Sequence, residues 1–530
     1  MDGFDSQITY FQEVNNTSEN NTGNVRIAKN TLFLYIRLVF VLIISLYTSR
    51  VILHNLGVVD YGIYNVVAGF VSMFALLNTS FSNSSQRFYN SEKGKNGIEG
   101  MQKVFISAHY IQIIIAVLIL ILAETVVLWY VANKMVYPSE RTLAVHIVYQ
   151  SSVIALLFVV LQIPYSAAII AHEKINYYAI VGVLDVVMKL IIALILPIIP
   201  SDSLSVYGVL IAGVGIIDFS LYFLYCRHHF PYLRFKWQFQ QELFRAILKY
   251  SGWKALNSFS QVVRHQGLNI LMNLFFGPAV NAARGISYQV KSALLGFVMN
   301  ITTAAQPQVV ESYAIGNIER SKKLMFTISK FIFLSLYVVS LPIIIEISYI
   351  LRLWLGNEIP DYTEIFTIIV LVTGMIDILS TPISMVIAAS GQVARFDFWN
   401  SIIGMTALPI AYFVLNKGGN PVTVFIVSLL VSIVMFIVAL FIMRKEIGIQ
   451  LTDYYKGILL PLVSVVIITA GFPWLVSYSL QDGFLRLFVV TIVSVLVVIS
   501  CGFYIGLDAN ERTLVVTYVK HYVTIHIKKQ

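Results

Sequence analysis

Residues 421–443 read PVTVFIVSLLVSIVMFIVALFIM, a run with no ionisable side chain. At 1.5 Å rise per residue its helix would measure about 34 Å, enough to cross about 30 Å of bilayer hydrocarbon. A helix satisfies its own backbone hydrogen bonds, which lipid cannot do for it. The run therefore predicts a transmembrane helix. Working outward, comparable runs fall at 398–416, 363–389, 328–350, 281–305, 253–275, 204–226, 177–199, 144–171, 104–131, 61–86 and 31–52 on one side, and at 458–479 and 484–506 on the other. The expectation is an all-α integral membrane protein with about fourteen spanning helices.

Composition agrees. Charged residues make up 12% of the 530, against about 25% in soluble chains, which excludes a soluble enzyme. The net charge of +9 would suit nucleic acid or an anionic membrane surface, and its distribution follows the membrane. With both termini cytosolic and loops alternating sides, 25 of the 36 lysines and arginines fall inside and 7 outside. That is the asymmetry of the positive-inside rule. Cys226 and Cys501 sit at or within apolar stretches, so neither a disulfide framework nor a thiolate metal site is implied. No GxxxxGK[ST] loop is present, which argues against ATP hydrolysis.

The organisation expected from these runs has six parts. A disordered cytosolic tail covers 1–28, a first lobe of six spans 29–226, and a basic interfacial linker helix 227–252. A second six-span lobe covers 253–443, a terminal helix pair 444–507, and a basic amphipathic tail 508–530. The linker and the tail repeat apolar residues at helical spacing beside lysines and arginines, as helices lying on a membrane surface do. Shifting the chain by 220 residues sets Gly57 on Gly277, Ser72 on Ser292, Gln86 on Gln306 and Lys103 on Lys323. Repeated lobes of this kind are a transporter signature.

The stretch from Arg50 through Gly57 to Asp60-Tyr61-Gly62-Ile63-Tyr64 resembles the end of the first span in Wzx-type polysaccharide flippases. Asn273, Gly277 and Asn281-Ala282-Ala283-Arg284-Gly285-Ile286 resemble their junction of seventh and eighth spans. The resemblance extends from Asn30 to about Gly506 and fits the multidrug/oligosaccharidyl-lipid/polysaccharide (MATE-like) superfamily. It implies a bacterial inner-membrane flippase, not an enzyme, that moves undecaprenyl-pyrophosphate-linked oligosaccharide to the periplasmic leaflet by alternating access. A MATE-type multidrug/cation antiporter is the alternative. A membrane polysaccharide polymerase or glycosyltransferase fits less well, because no outside loop is long.

Charges inside spans are expensive, so they face a cavity or a partner. Arg37, Arg264 and Lys291 are the candidates for holding pyrophosphate, since a guanidinium fork binds phosphate oxygens in pairs. For Arg37, snorkelling to the cytosolic interface is the competing explanation. Gln266, Asn269 and Gln289 are the expected polar lining of the cavity. Asp377, in mid-span, is the candidate for Na⁺ or H⁺ coupling, or else a buried acid paired with Arg264 or Lys291. Asp185 and Lys189 have the spacing of an intrahelical ion pair. Glu124 and Glu346 fall near outer span ends and read as solvated. No metal or cofactor is implied beyond the coupling ion. The expected partners are the lipid-linked glycan, membrane lipid and polysaccharide-assembly proteins; no nucleic acid is expected, and the chain is expected to be a monomer.

Overall fold

The computed structural model describes the backbone of residues 2–513 and Val516, except Glu173, Trp237 and Asn357. Side chains are described apart from 2–38, 70–80, 250–258 and scattered single positions. The backbone of 2–28 is helical, part of the first helix, where a disordered tail is expected from the sequence; the side chains of 2–38, Arg37 among them, and the C-terminal tail beyond Thr513 apart from Val516 lie outside the described residues.

Every regular element described is helical. The first lobe comprises α1 (Asp2–Leu122), α2 (Leu128–Asn133), α3 (Thr142–Leu161), α4 (Ile163–Ala171), α5 (Ile175–Ile195) and α6 (Ser203–His229). The second comprises α7 (Gln241–Phe276), α8 (Pro278–Ala314), α9 (Ile318–Ile345), α10 (Ile347–Leu355), α11 (Thr363–Ala389), α12 (Val393–Met405), α13 (Ala407–Asn416) and α14 (Pro421–Ile447). The short α15 (Leu451–Tyr454) leads into the terminal pair, α16 (Leu460–Ser479) and α17 (Phe484–Cys501).

Eleven helices among the described residues are long and apolar enough to cross a membrane. The difference from fourteen has a local cause. α1 carries the first three expected spans and reverses at Gly57 (φ 73°, ψ 170°) and Gly97 (φ 58°, ψ −138°) without intervening loops. One apolar segment, Val39–Gly69, therefore straddles Gly57 and belongs to two spans. α7 and α8 occupy the places of the seventh and eighth spans but carry many polar side chains. Other boundaries shift for readable reasons. The expected span 328–350 divides at Glu346 into α9 and α10, one turn after Pro342. The expected linker helix over 227–252 is not a separate element: Gln241 opens α7, which continues into the seventh span.

Each lobe has a core, and that of the first takes in Ala282, Ile286, Leu351 and Leu355 of the second. Ile63, Val67, Val148, Tyr149 and Leu204 are buried together in the first. Met325, Ile332, Ile383, Val386 and Met443 are buried in the second. The terminal pair adds Leu462, Val465 and Val498 to that second core, while Ile467, Phe472, Leu485 and Leu496 stay exposed where lipid would lie. Lipid tails are as apolar as these side chains, so helix association here depends on close packing and on polar ties. Two buried ion pairs supply such ties, one near the middle of α9 and one at its C-terminal end. Glu346 is fully buried and takes hydrogen bonds from Arg486 Nε (3.0 Å) and Nη2 (2.7 Å) on α17. Its expected solvation at a span end is thus corrected. Lys330 meets Glu511 at 2.8 Å, and Glu511 also closes a reciprocal cap with Asp508 at the start of the tail.

Candidate functional site

The site forms where α1 beyond Gly57 faces the junction of α7 and α8 at Gly277. The 220-residue repeat is visible in the backbone here. Gly57 (φ 73°, ψ 170°) and Gly277 (φ 78°, ψ −175°) take the same conformation, one that is essentially closed to residues bearing a Cβ. Each lets two spanning helices meet with no loop between them.

At the Gly57/Gly277 end the lobes touch closely. An ideal Cβ on Gly62 would collide with the Pro278 carbonyl that begins α8. The Asn273 side chain, fully buried, accepts from Val136 N (2.9 Å) and donates to Val136 O (3.2 Å). Trp354 Nε1 donates to Leu46 O at 2.8 Å, Arg50 Nη1 to Leu353 O at 3.1 Å, and Gln289 Nε2 to Ser49 Oγ at 2.6 Å. Deeper in, Asn269 Nδ2 reaches Asn65 O at 3.4 Å.

Beneath this closure lies a cavity of about 910 Å³ between the lobes. The first lobe lines it with Asn65, Ala68 and Gly69. The second lobe supplies its charges: Arg284, Lys291 and Asp377, with His265, Gln266, Asn269 and Tyr288. The Arg284 guanidinium stacks 4.2 Å over the Tyr288 ring and donates to His265 O at 2.5 Å. Lys291 Nζ lies 3.1 Å from Asp377 Oδ2, and 6.0 Å from the same Tyr288 ring. Cations attracted to an aromatic face and held by a backbone carbonyl are fixed in place without being neutralised. Two cations face one carboxylate, so the wall favours an anion.

The expected residues separate into three groups. Lys291, Gln266 and Asn269 line the cavity as expected from the sequence. Arg264 turns away from it into the second lobe, where Nη2 donates to Ser432 Oγ (2.7 Å) and Ser428 O (3.1 Å) and Nη1 lies 3.2 Å from Met435 Sδ on α14. It lines a smaller cavity of about 260 Å³ with Gln261, Asp377, Thr381 and Asn400. Gln289 is absent from the cavity lining, its amide being engaged with the first helix at Ser45 and Ser49. Asp377, singled out for ion coupling, is paired with Lys291, the second of the two explanations its position allowed. Asp185 and Lys189 form their intrahelical pair at 2.7 Å. Arg284 is the residue that hydropathy missed. The charge count places it outside although the expected eighth span begins at 281; α8 begins at Pro278 and carries Arg284 almost two turns inside. Its place in the Asn281–Ile286 stretch was the available signal.

Two helical lobes, each turning at a matching glycine, thus close at one end over a polar cavity. The chain is similar in structure to the lipid II flippase MurJ in an inward closed conformation, with a TM-score of 0.67 and 13% identity over 89% of this chain and 98% of that one. It is similar also to an inward-facing MATE-family multidrug resistance transporter of the MOP superfamily, with a TM-score of 0.63 and 13% identity over 76% of this chain and 94% of that one. A third likeness is to a MOP superfamily transporter from Pyrococcus furiosus described as having a binding pocket of reversed polarity. There the TM-score is 0.52, with 14% identity over 78% of this chain and 95% of that one. At such identities the likeness establishes the fold. No protein-family model matches the sequence, and no curated protein matches it.

Proposed function

We propose that the protein is a flippase that carries a lipid-linked, diphosphate-bearing oligosaccharide across the bacterial inner membrane by alternating access, both of its termini being cytosolic. The observation that carries this reading is the pair of cavity cations, Arg284 and Lys291, set against a single acid, Asp377. In a low-dielectric site, charge-assisted hydrogen bonds to a diphosphate are strong and specific to sign. A carrier of organic cations would gain from the opposite balance, which disfavours the drug-antiporter reading. The likeness to a lipid II flippase supports a lipid-linked substrate in the same fold. Undecaprenyl-pyrophosphate-linked oligosaccharide, the substrate that the Wzx resemblance implies, has the required anionic head.

The test is transport by the purified protein in proteoliposomes. A fluorescent polyprenyl-diphosphate oligosaccharide placed in one leaflet should reach the other faster than in protein-free vesicles, and Lys291→Met should abolish the gain. Exchange of ethidium for protons or Na⁺, with no movement of the lipid diphosphate, would replace this reading with that of a cation antiporter.

A further inference from the structure

The two cavity cations are not equivalent. Among the described residues Arg284 meets only neutral groups, the Tyr288 ring and the His265 carbonyl, whereas Lys291 already has an anionic partner in Asp377. The fit of that pair is close. The lysine stem crosses α11 at Gly374, where an added Cβ would stand 3.3 Å from Lys291 Cε. The Lys291 side chain is 11% exposed and that of Asp377 37%, so the acid is the more open member of the pair. Asp377 borders both the main cavity and the 260 Å³ cavity within the second lobe. It lines the latter together with Ser380, Thr381, Ser384, Asn400 and Arg264.

We propose that Asp377 is a specificity-determining residue: an internal competitor for Lys291 that sets how much negative charge a ligand must carry to occupy the cavity. This rests on the reading that the cavity receives an anionic diphosphate. Any anion that takes Lys291 must first displace a carboxylate. A singly charged ligand exchanges one ion pair for another and still loses its own hydration, so nothing favours entry. A diphosphate brings more charge and spans further. It reaches both Lys291 and Arg284, which lie on either side of Tyr288 on one face of α8. The displaced carboxylate has room and donors in the smaller cavity, where Ser380, Thr381, Ser384, Asn400 and Arg264 face it. The exchange is therefore reversible, and the empty carrier neutralises its own lysine again.

The experiment is calorimetric titration of the full-length protein in detergent with inorganic pyrophosphate, inorganic phosphate and chloride. Wild type should prefer pyrophosphate to phosphate and bind chloride weakest. Asp377→Asn should tighten binding of phosphate most, so that the pyrophosphate-to-phosphate preference narrows about tenfold, the scale of one close charge pair. Asp377→Glu should keep the wild-type preference. An unchanged preference in Asp377→Asn, or weaker binding of both ligands, overturns the proposal. So does chloride binding to wild type as tight as pyrophosphate, a result that needs no variant to fold. The two readings fail separately. Charge-graded binding that Asp377→Asn flattens, in a protein that moves no lipid diphosphate, defeats the transport reading alone. Transport with an unflattened preference defeats this one alone.

Discussion

Replacing Gly62 by alanine should open the lobes at the Gly57/Gly277 end. The added Cβ would lie 2.5 Å from the Pro278 carbonyl carbon and 3.1 Å from Pro278 Cα, both of them backbone atoms at the start of α8. Ordinary carbon–carbon contact needs about 3.5–4.0 Å, so α1 and α8 must separate by about 1 Å. The polar ties at this end tolerate little of that. The Val136–Asn273 hydrogen bond would lengthen from 2.9 Å to about 3.9 Å, beyond the range of an effective bond. Overpacking of this kind costs about 1–3 kcal/mol, which shifts an equilibrium between closed and open lobes by roughly 5- to 150-fold. Spin labels at His54 and Glu358, which face each other across the closure at 3.2 Å, report the change as a longer distance distribution. Gly69 and Gly285 provide the control. Their added Cβ atoms would meet the side-chain ends of Gln266 and Asn65, at 2.6 and 2.7 Å, and those ends can rotate aside. Alanine there should leave the distribution near wild type. If Gly62→Ala gives the same distribution as Gly69→Ala, this account of the closure is wrong.

Other predictions concern the ties around the cavity. Glu511→Ala leaves Lys330, whose side chain is 5% exposed, with only the half-exposed Asp508 at 3.9 Å, and should cost about 3 kcal/mol, seen as a lower melting temperature in detergent. Lys330→Met combined with Glu511→Leu should recover most of that loss, because no unpaired charge remains. Asp202 caps α6 and holds Arg141, which also bonds Asp60. Burial pushes the Asp202 carboxyl up, but hydrogen bonds from Ser205 and the Arg141 charge outweigh it and set the carboxyl below its ordinary value of 3.8. Its stabilising contribution is thus fully present above pH 3.8 and fades as pH falls through the lower folded value. Amide protection at the start of α6, relative to the intrinsic exchange rate at each pH, should fall on acidification below about pH 4 in wild type, and should be lower already at neutral pH in Asp202→Asn. Arg284→Ala removes the unpaired cavity cation and should reduce pyrophosphate binding more than phosphate binding, measured by the same titration that tests Asp377.

The spans were legible because hydrocarbon imposes one rule, apolar length, that a sequence displays directly. The joints were less so. A reader expects a loop between the seventh and eighth spans and counts Arg284, close to it, with the charges outside, whereas one glycine at φ 78° makes the whole turn. Helical spacing shows that Arg264 and Lys291 are costly in a membrane, but not which neighbour each faces. That depends on how α7 and α8 rotate against α11 and α14, which is set by contacts distant in sequence. Glu346 reads as a wet end until Arg486, 140 residues later, is found against it.

The repeat itself then bears on mechanism. Gly57 and Gly277 coincide in sequence offset and backbone conformation, yet the cavity charges do not repeat: Arg284 corresponds to Tyr64 and Lys291 to Val71. Both cavity cations described and their acid belong to the second lobe, and the terminal pair is tied to that lobe by Arg486 at the C-terminal end of α9, with Glu511 just beyond the pair held at mid-α9. Among the described residues, the first lobe offers Asn65, Ala68 and Gly69, small or neutral side chains that grip no phosphate. A bound diphosphate would therefore stay with the second lobe while the first moves past it. A small neutral wall suits that role, because it can leave and return without breaking an ion pair. Placing a lysine at Gly69 should then hold the lobes together around pyrophosphate. Its signature would be tighter pyrophosphate binding with slower lipid movement, and faster movement would count against this division of labour.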